Sequence, residues 1–512
     1  MHTTRLRTAA VVAATALSAP LLLAASTDRG HASRNPARDA AELSRQLVES
    51  SSAEGAYRHL ERFQAIAGSA GGHRAAGSAG HDASAAYVHR LLRKAGYQVG
   101  YEAFDFMYTE ALAEKFSVVS PAPRDVSIRA MTYTASTEEG GITAALVAVP
   151  ADGTTGCEAA DYSSEGFTGR IALIERGGCS FARKQEAAAA AGAVAAVVYN
   201  NTEGPLSGTL GGAGEGKIPT GGITQDEGES LLADLAKGDV EVSLEIREFR
   251  EERTTRNVVA ETRGGDDAKT VMLGAHLDSV TDGPGINDNA SGSAGLLEVA
   301  LQLAESGRTP ANKVRFAWWS AEEYGLLGSE AYVAKLSGAQ RAKIALYLNF
   351  DMIASPNGVQ FVFDGDDSDG VGEGPGPEGS ARLEHDINTF LDGKNKPHTG
   401  TDFTGRSDYG PFIEVGIPSG GTDTGAEGIK TAAQAGTYGG TAGVAYDPCY
   451  HAACDDLGNI GTGHFDTNID VIANAVGTYA HDLGPLARPA PAAGEHRSDA
   501  GPRKGHVHGI TE

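Results

Sequence analysis

The sequence predicts an α/β fold: a mixed, mostly parallel central sheet flanked by helices, with a smaller β-rich α/β block inserted into it. Three observations carry this reading. From Asn257 onward apolar stretches alternate with amphipathic ones, at Thr270 to Ala275, Leu296 to Ala304, Val314 to Trp319, Gly328 to Leu336 and Ile344 to Phe350. Near-continuous apolar strands separated by helices belong to a sheet covered on both faces. Between about Ser120 and Arg250 the texture changes to short strands joined by glycine-rich connections. Finally, 68 of the 512 residues are glycine, roughly twice the usual share. With only 20 prolines and no G-X-Y period, collagen is excluded and a protein of many tight loops remains.

The N-terminus reads as an export signal. Arg5 and Arg7 precede an uncharged Ala/Leu/Val-rich run from Thr8 to Ala25, ending in small residues. Residues 1–25 are therefore expected to be a signal peptide and 26–40 a pro-segment. The run is too short and too rich in alanine for a stable membrane anchor, and no cysteine near the cleavage region suggests a lipid. A secreted, extracellular and monomeric chain is expected.

The main domain is expected over residues 41–120 and 253–486, interrupted by the insert at 121–252. Its first readable element is a helix over Asp82 to Ala95, with Tyr87, Val88, Leu91, Leu92 and Ala95 at helical spacing, stopped by Gly96 and followed by a strand from Tyr97 to Phe106. Within the insert, Arg170 to Glu175 and Val194 to Tyr199 read as strands around a helix over Phe181 to Ala191. Residues 487–512, rich in Pro, Ala, Gly, Arg and His without apolar period, read as a disordered tail.

Composition narrows the function. Lys plus Arg number 42 against 67 acidic residues, a net charge of −25 that argues against nucleic acid as a partner. Hydrophobic residues at 41% and charged residues at 21% exclude wholesale disorder and a polytopic membrane protein. Four cysteines in an exported chain are read as disulfides first. Of the three connectivities, the two local pairs, Cys157 with Cys179 and Cys449 with Cys454, are expected. The alternative is a zinc knuckle of Cys449, His451 and Cys454, but three ligands within six residues better fit a tight disulfide loop presenting His451.

Chemistry collects where the strands end. Val271 to Ala275 runs into His276 and Asp278, Val314 to Trp319 into Glu322 and Glu323, and Ile344 to Phe350 into Asp351. Carboxyl ends of strands are where such sheets bind ligands. The glycine-rich loop Gly283 to Gly292 carries Asp288, and His451 comes near the C-terminus. Imidazole mixed with carboxylate suits zinc, with manganese or cobalt as alternatives. Five ligands and a spare glutamate match a pair of metals sharing a bridging carboxylate. No G-x-S-x-G or H-E-x-x-H motif is present. Gly211 to Lys217 nearly spells a P-loop, but Ile218 stands where Ser or Thr must reach magnesium. The acidic stretch Asp364, Asp366, Asp367 and Asp369 lacks the EF-hand glycine and glutamate and reads as a solvated loop, with weak calcium binding as the alternative.

These residues resemble a known family, the secreted di-zinc aminopeptidases related to bacterial leucine aminopeptidases. The matching motifs are AHLDS at 275–279, GINDNASG at 285–292, SAEEYGLLGS at 320–329, NFDMIASPN at 349–357, RSDYGPF at 406–412 and DPCYHAACD at 447–455. The insert, with GCEAADYSSEGFTGRIALIERGGCSFARKQEAAAAAGA from Gly156, resembles a protease-associated (PA) domain, which would make Cys157–Cys179 an internal bridge.

The resemblance implies a zinc exopeptidase fold of the phosphorylase/hydrolase-like type and two Zn2+ per chain. Asp288 would bridge them, His276 and Asp351 would complete one, and Glu323 and His451 the other. Glu322 would be the general base, Asp278 the carboxylate that fixes the His276 imidazole, Tyr450 the oxyanion donor, and Arg406 part of the substrate pocket. A cis peptide is expected between Asp288 and Asn289. Substrates would be peptide or protein N-termini, with bulky apolar, Leu-like residues favoured. Some relatives are activated by Ca2+, for which these motifs offer no site. Two other functions stay open: a di-zinc carboxypeptidase, to which Arg406 would suit a substrate carboxylate, and a non-catalytic receptor-like relative, against which all five ligands and the base stand.

Overall fold

Strands Asp266–His276, Asn312–Trp319 and Ile344–Phe350 form where the sequence is apolar without interruption, and they lie side by side in parallel, with Val271 opposite both Val314 and Leu346. Their side chains alternate between two cores, as a period of two demands. Val271, Leu273 and Ala275 pack with Leu296, Val299 and Ile472 on one face. Met272 packs with Trp319, Tyr347 and Phe412 on the other. This computed structural model describes residues 35–486, apart from 152–154, 163–165, 202–203, 205, 213 and 371–373. The expected signal peptide and C-terminal tail lie outside the described residues.

The first face is covered by helices Gly292–Glu305 and Thr462–Tyr479 and by three N-terminal helices, Pro36–Ser50, Ala53–Ser69 and Ala79–Ala95. The third confirms the helix read from the sequence. Ser78 caps its N-terminus by accepting from the His81 amide, and Gly96, at φ 99°, ends it in the left-handed conformation that glycine adopts without steric penalty. The first two went unread. Residues 36–40, within the expected pro-segment, open a helix whose Ala40, Leu43 and Leu47 are buried.

A long antiparallel ribbon joins the two parts of the chain. Gln98–Ser120 pairs with Glu241–Glu261 from Gln98 opposite Glu261 to Ser120 opposite Glu241. The second of these strands also pairs with Asn312–Trp319 at one end and with Ile142–Ala148 at the other. Beyond it, Ile142–Ala148, Ile171–Glu175, Ala195–Tyr199 and Thr220–Ile223 run parallel, so main sheet and insert form one 14-stranded sheet among the described residues. The insert has its own cores, for example Leu173, Val197, Ile223 and Leu244 on one face of its strands.

Both expected disulfides are present, Cys157–Cys179 with Cα atoms 5.9 Å apart and Cys449–Cys454 with Cα atoms 5.3 Å apart, and no cysteine is free. The knuckle alternative therefore fails, because both of its sulfurs are bonded to each other. No helix among the described residues is long and apolar enough to cross a membrane.

Candidate active site

His276 closes its strand, Asp351 follows Phe350, and Glu322 and Glu323 occupy the turn after Trp319. Ala321 and Met352, which flank Glu322 and Asp351, are left-handed (φ 58° and 48°), as is His451 (φ 53°) in its disulfide loop. Non-glycine residues hold this conformation at about 1–3 kcal/mol each, and such positions concentrate at functional sites.

Asp288 is delivered by the turn from Gly283 to Gly292. Only Gly285 (φ 60°) needs glycine for its backbone angle. At Gly283 and Gly292 the reason is space: a Cβ would stand 2.3 Å from the Ala452 carbonyl oxygen and 2.1 Å from that of Phe350. The Asp288–Asn289 peptide is cis. Asp455, which sequence reasoning passed over although it ends a quoted motif, accepts from the amides of Asn287 (2.8 Å) and Asp288 (3.0 Å).

The carboxylate of Asp288 sits between two imidazoles. His276 Nε2 lies 3.2 Å from Asp288 Oδ1 and 3.2 Å from Asp351 Oδ1. His451 Nε2 lies 3.2 Å from Asp288 Oδ2 and 3.0 Å from Glu323 Oε2. Two groups of N and O atoms thus share one aspartate, each using a different oxygen. Glu322 Oε2 stands farther off, 3.8 Å from His276 Nε2. Its carboxylate also falls within 4.8 Å of ligand atoms of His276 and Asp351.

Without cations this cluster is electrostatically frustrated. Burial drives the Glu322 carboxyl well above its usual range, and Asp351, Asp408 and Glu323 add to it. Burial also pushes Asp278 up to about 7 and Asp408 up to about 8. Burial opposes charge on the imidazoles, yet Glu322 and Asp351 hold His276 well above normal, and Glu323 and Asp288 raise His451 to about 10. Glu323 Oε1 is buried without a hydrogen bond. Closely spaced buried carboxylates that raise one another's pKa are the environment that divalent cations relieve, so the donor set fits zinc.

The surrounding side chains orient the set. Asp278 Oδ1 lies 3.8 Å from His276 Nδ1 and accepts from the Glu322 amide. Ser407 Oγ donates to Asp351 Oδ2 (2.5 Å) and accepts from Asn349 Nδ2 (2.7 Å); neither role was read from the sequence, although both lie in quoted motifs. Asp408, buried beneath, accepts from Ser329 Oγ. Tyr450 stacks on His451 with ring centroids 3.8 Å apart, and its hydroxyl accepts from Arg406 Nη2 (3.3 Å). Arg406 Nη1 in turn pairs with Glu427 at 2.8 Å. All of the expected metal ligands, with Glu322, Arg406 and Tyr450, line one cavity of about 290 Å3, whose apolar wall includes Met352, Phe361, Phe363 and Tyr446.

Residues 257–476 match peptidase family M28, and residues 142–231 match the PA domain. Leucine aminopeptidase 2 of Trichophyton equinum is 44% identical over 410 residues, 80% of each chain. This chain belongs to peptidase family M28. An aminopeptidase from Aneurinibacillus sp. strain AM-1 superposes with a TM-score of 0.67 at 28% identity, covering 85% of this chain and 95% of that one. A zinc aminopeptidase from Bacillus subtilis gives 0.60 at 27% identity, covering 83% and 94%. The M28 chain is accordingly a zinc-dependent aminopeptidase hydrolase carrying a PA domain.

One expectation for this M28 peptidase needs correction. The acidic stretch is not simply a solvated loop, since Asp364 is 3% exposed and accepts from the amides of Asp366, Ser368 and Asp369. Asp366, Asp367 and Asp369 remain at or near the surface.

Proposed function

We propose that the protein is a secreted aminopeptidase that releases Leu-like N-terminal residues and holds two zinc ions. His276, Asp288 and Asp351 would hold one, and His451, Asp288 and Glu323 the other. The observation that supports this most is Asp288 lying with one oxygen toward each imidazole. Zinc bound in such a set supplies an acidified water and polarises the scissile carbonyl.

The chain's own groups do the rest. Glu322 takes a proton from the attacking water and gives it to the departing amine, a role that suits a buried carboxylate standing beside the proposed ligands, 3.8 Å from His276 Nε2. Asp278 keeps the His276 ring in one orientation. The Tyr450 hydroxyl donates to the developing oxyanion, with Arg406 and Glu427 fixing where it sits. Glu322 and Asp351 hold the α-ammonium of the substrate, which limits cleavage to one residue. The apolar wall at Met352, Phe361 and Tyr446 supports a preference for bulky apolar side chains. The carboxypeptidase reading is weakened by Arg406, whose charge already faces Glu427.

We place the PA domain at 121–252 and the peptidase domain at 41–120 and 253–486, acting as a monomer behind a signal peptide at 1–25. The test is hydrolysis of a panel of aminoacyl-nitroanilides, with chelator and then added zinc, alongside peptides blocked at either end. Leucine should lead the panel, chelation should abolish turnover and zinc restore it. Cleavage of N-blocked but not C-blocked peptides would refute the assignment.

A further inference from the structure

Arg74 lies 202 residues before His276, outside the M28 match and outside every motif quoted above. Its side chain is wholly buried. The guanidinium donates from Nε to the Pro284 carbonyl (2.9 Å), from Nη2 to that of Gly285 (2.5 Å) and from Nη1 to that of Leu277. Its amide donates to Ser279 Oγ (2.9 Å), which in turn donates to the Gly283 carbonyl (3.1 Å). Its Cζ stands over the Phe63 ring, 5.4 Å from the centroid. Helix Ala79–Ala95 backs this turn so closely that a Cβ on Gly80 would stand 3.0 Å from Arg74 Cα.

All three acceptors are backbone oxygens, drawn from two loops. Leu277 directly follows His276, while Pro284 and Gly285 precede Asp288 in the glycine turn. Guanidinium alone among side chains offers a rigid fork of donors able to serve three carbonyls at once. Burial lowers its pKa to about 10, while Asp278, Asp455, Asp288 and Glu323 favour its charge. A cation therefore stands permanently behind an anionic ligand set.

We propose that Arg74 is a positioning residue that sets the spacing between the His276 loop and the Asp288 loop before metal arrives, so that zinc meets a preformed site. This rests on the metal-site reading above. Loss of the clamp should leave every ligand in place chemically but misplaced geometrically.

The test uses the full chain stripped of metal and titrated with zinc against a chromophoric chelator, for wild type, Arg74→Lys and Arg74→Gln. Both variants should bind zinc about 10- to 100-fold more weakly, the scale typical of groups that orient metal ligands. Lysine should rescue little, because an ammonium keeps the charge and loses the fork. Wild-type zinc affinity in a folded variant would overturn the proposal. Should neither variant fold, hydrogen exchange of the zinc-free wild type decides. Amides at 277–290 should exchange about 100-fold or more slower than in an unstructured peptide. Free exchange there, with strand Ile344–Phe350 still protected, would overturn the proposal. A wild type that takes up no zinc at all would instead bring down the metal-site reading, and this proposal with it.

Discussion

Glu322→Gln should separate proton transfer from metal binding at a single position. The Glu322 side chain is 1% exposed, and glutamine nearly matches its volume, so no cavity opens and packing is preserved. What changes is the ability to accept a proton. General-base catalysis typically contributes roughly 10²- to 10⁴-fold, which is about 3 to 5 kcal/mol of transition-state stabilisation. Turnover of leucine nitroanilide should fall by that factor. Zinc measured by elemental analysis should stay at two ions per chain, because Glu322 stands 3.8 Å from His276 whereas the proposed ligand pairs lie at 3.0–3.2 Å. A kcat within tenfold of wild type would refute the base. Loss of one zinc would mean that Glu322 is a ligand, which its proximity to His276 and Asp351 makes a meaningful alternative.

His451→Ala should lose one zinc and nearly all activity; a variant that still holds two ions would eliminate His451 as a ligand. Gly292→Ala should destabilise the fold by about 1 to 3 kcal/mol, since its Cβ would meet the Phe350 oxygen at 2.1 Å and Asn289 Oδ1 at 2.5 Å; an unchanged melting temperature would contradict that packing. The zinc-free protein should become less stable as pH rises from about 7 to 8. His451, raised to about 10, and Asp408, raised to about 8, bind more protons folded than unfolded across this window, and that stabilisation is lost as pH climbs toward their folded values. His59, His81 and His464, lowered to about 4, are neutral in the folded chain and about a quarter protonated in the unfolded one at pH 7, and with Lys184, lowered to about 8, they offset the trend only in part. Urea midpoints in chelator that rise across this window would count against it.

What could be read in the sequence was whatever is local or periodic. The strands ending at His276, Trp319 and Phe350 are buried on both faces, so burial leaves an unbroken apolar run to read. The proposed ligands follow because the chain reverses where those runs stop. The ribbon strand Gln98–Ser120 was read only in part, because most of it is exposed or half-buried and its sequence is correspondingly mixed. Asp455 and Ser407 lay inside quoted motifs, yet their roles depend on which amide or carboxylate faces them, and that is a property of the folded chain. Arg74 had no signal at all: its partners are more than 200 residues away, and an arginine among glycines and alanines normally reads as surface. The two outer glycines of the Asp288 turn were legible as glycines but not as close contacts with Ala452 and Phe350.

The paired strands through which the chain enters and leaves the PA domain make that domain modular. Thr109 and Arg250 face each other in the ribbon, and the Thr109 carbonyl accepts from the Tyr324 hydroxyl. A two-residue hairpin turn joining them would discard everything between while leaving the peptidase sheet, its register and the support under the glutamate turn unbroken. The same junction that would permit removal would permit acquisition, by one event in a hairpin.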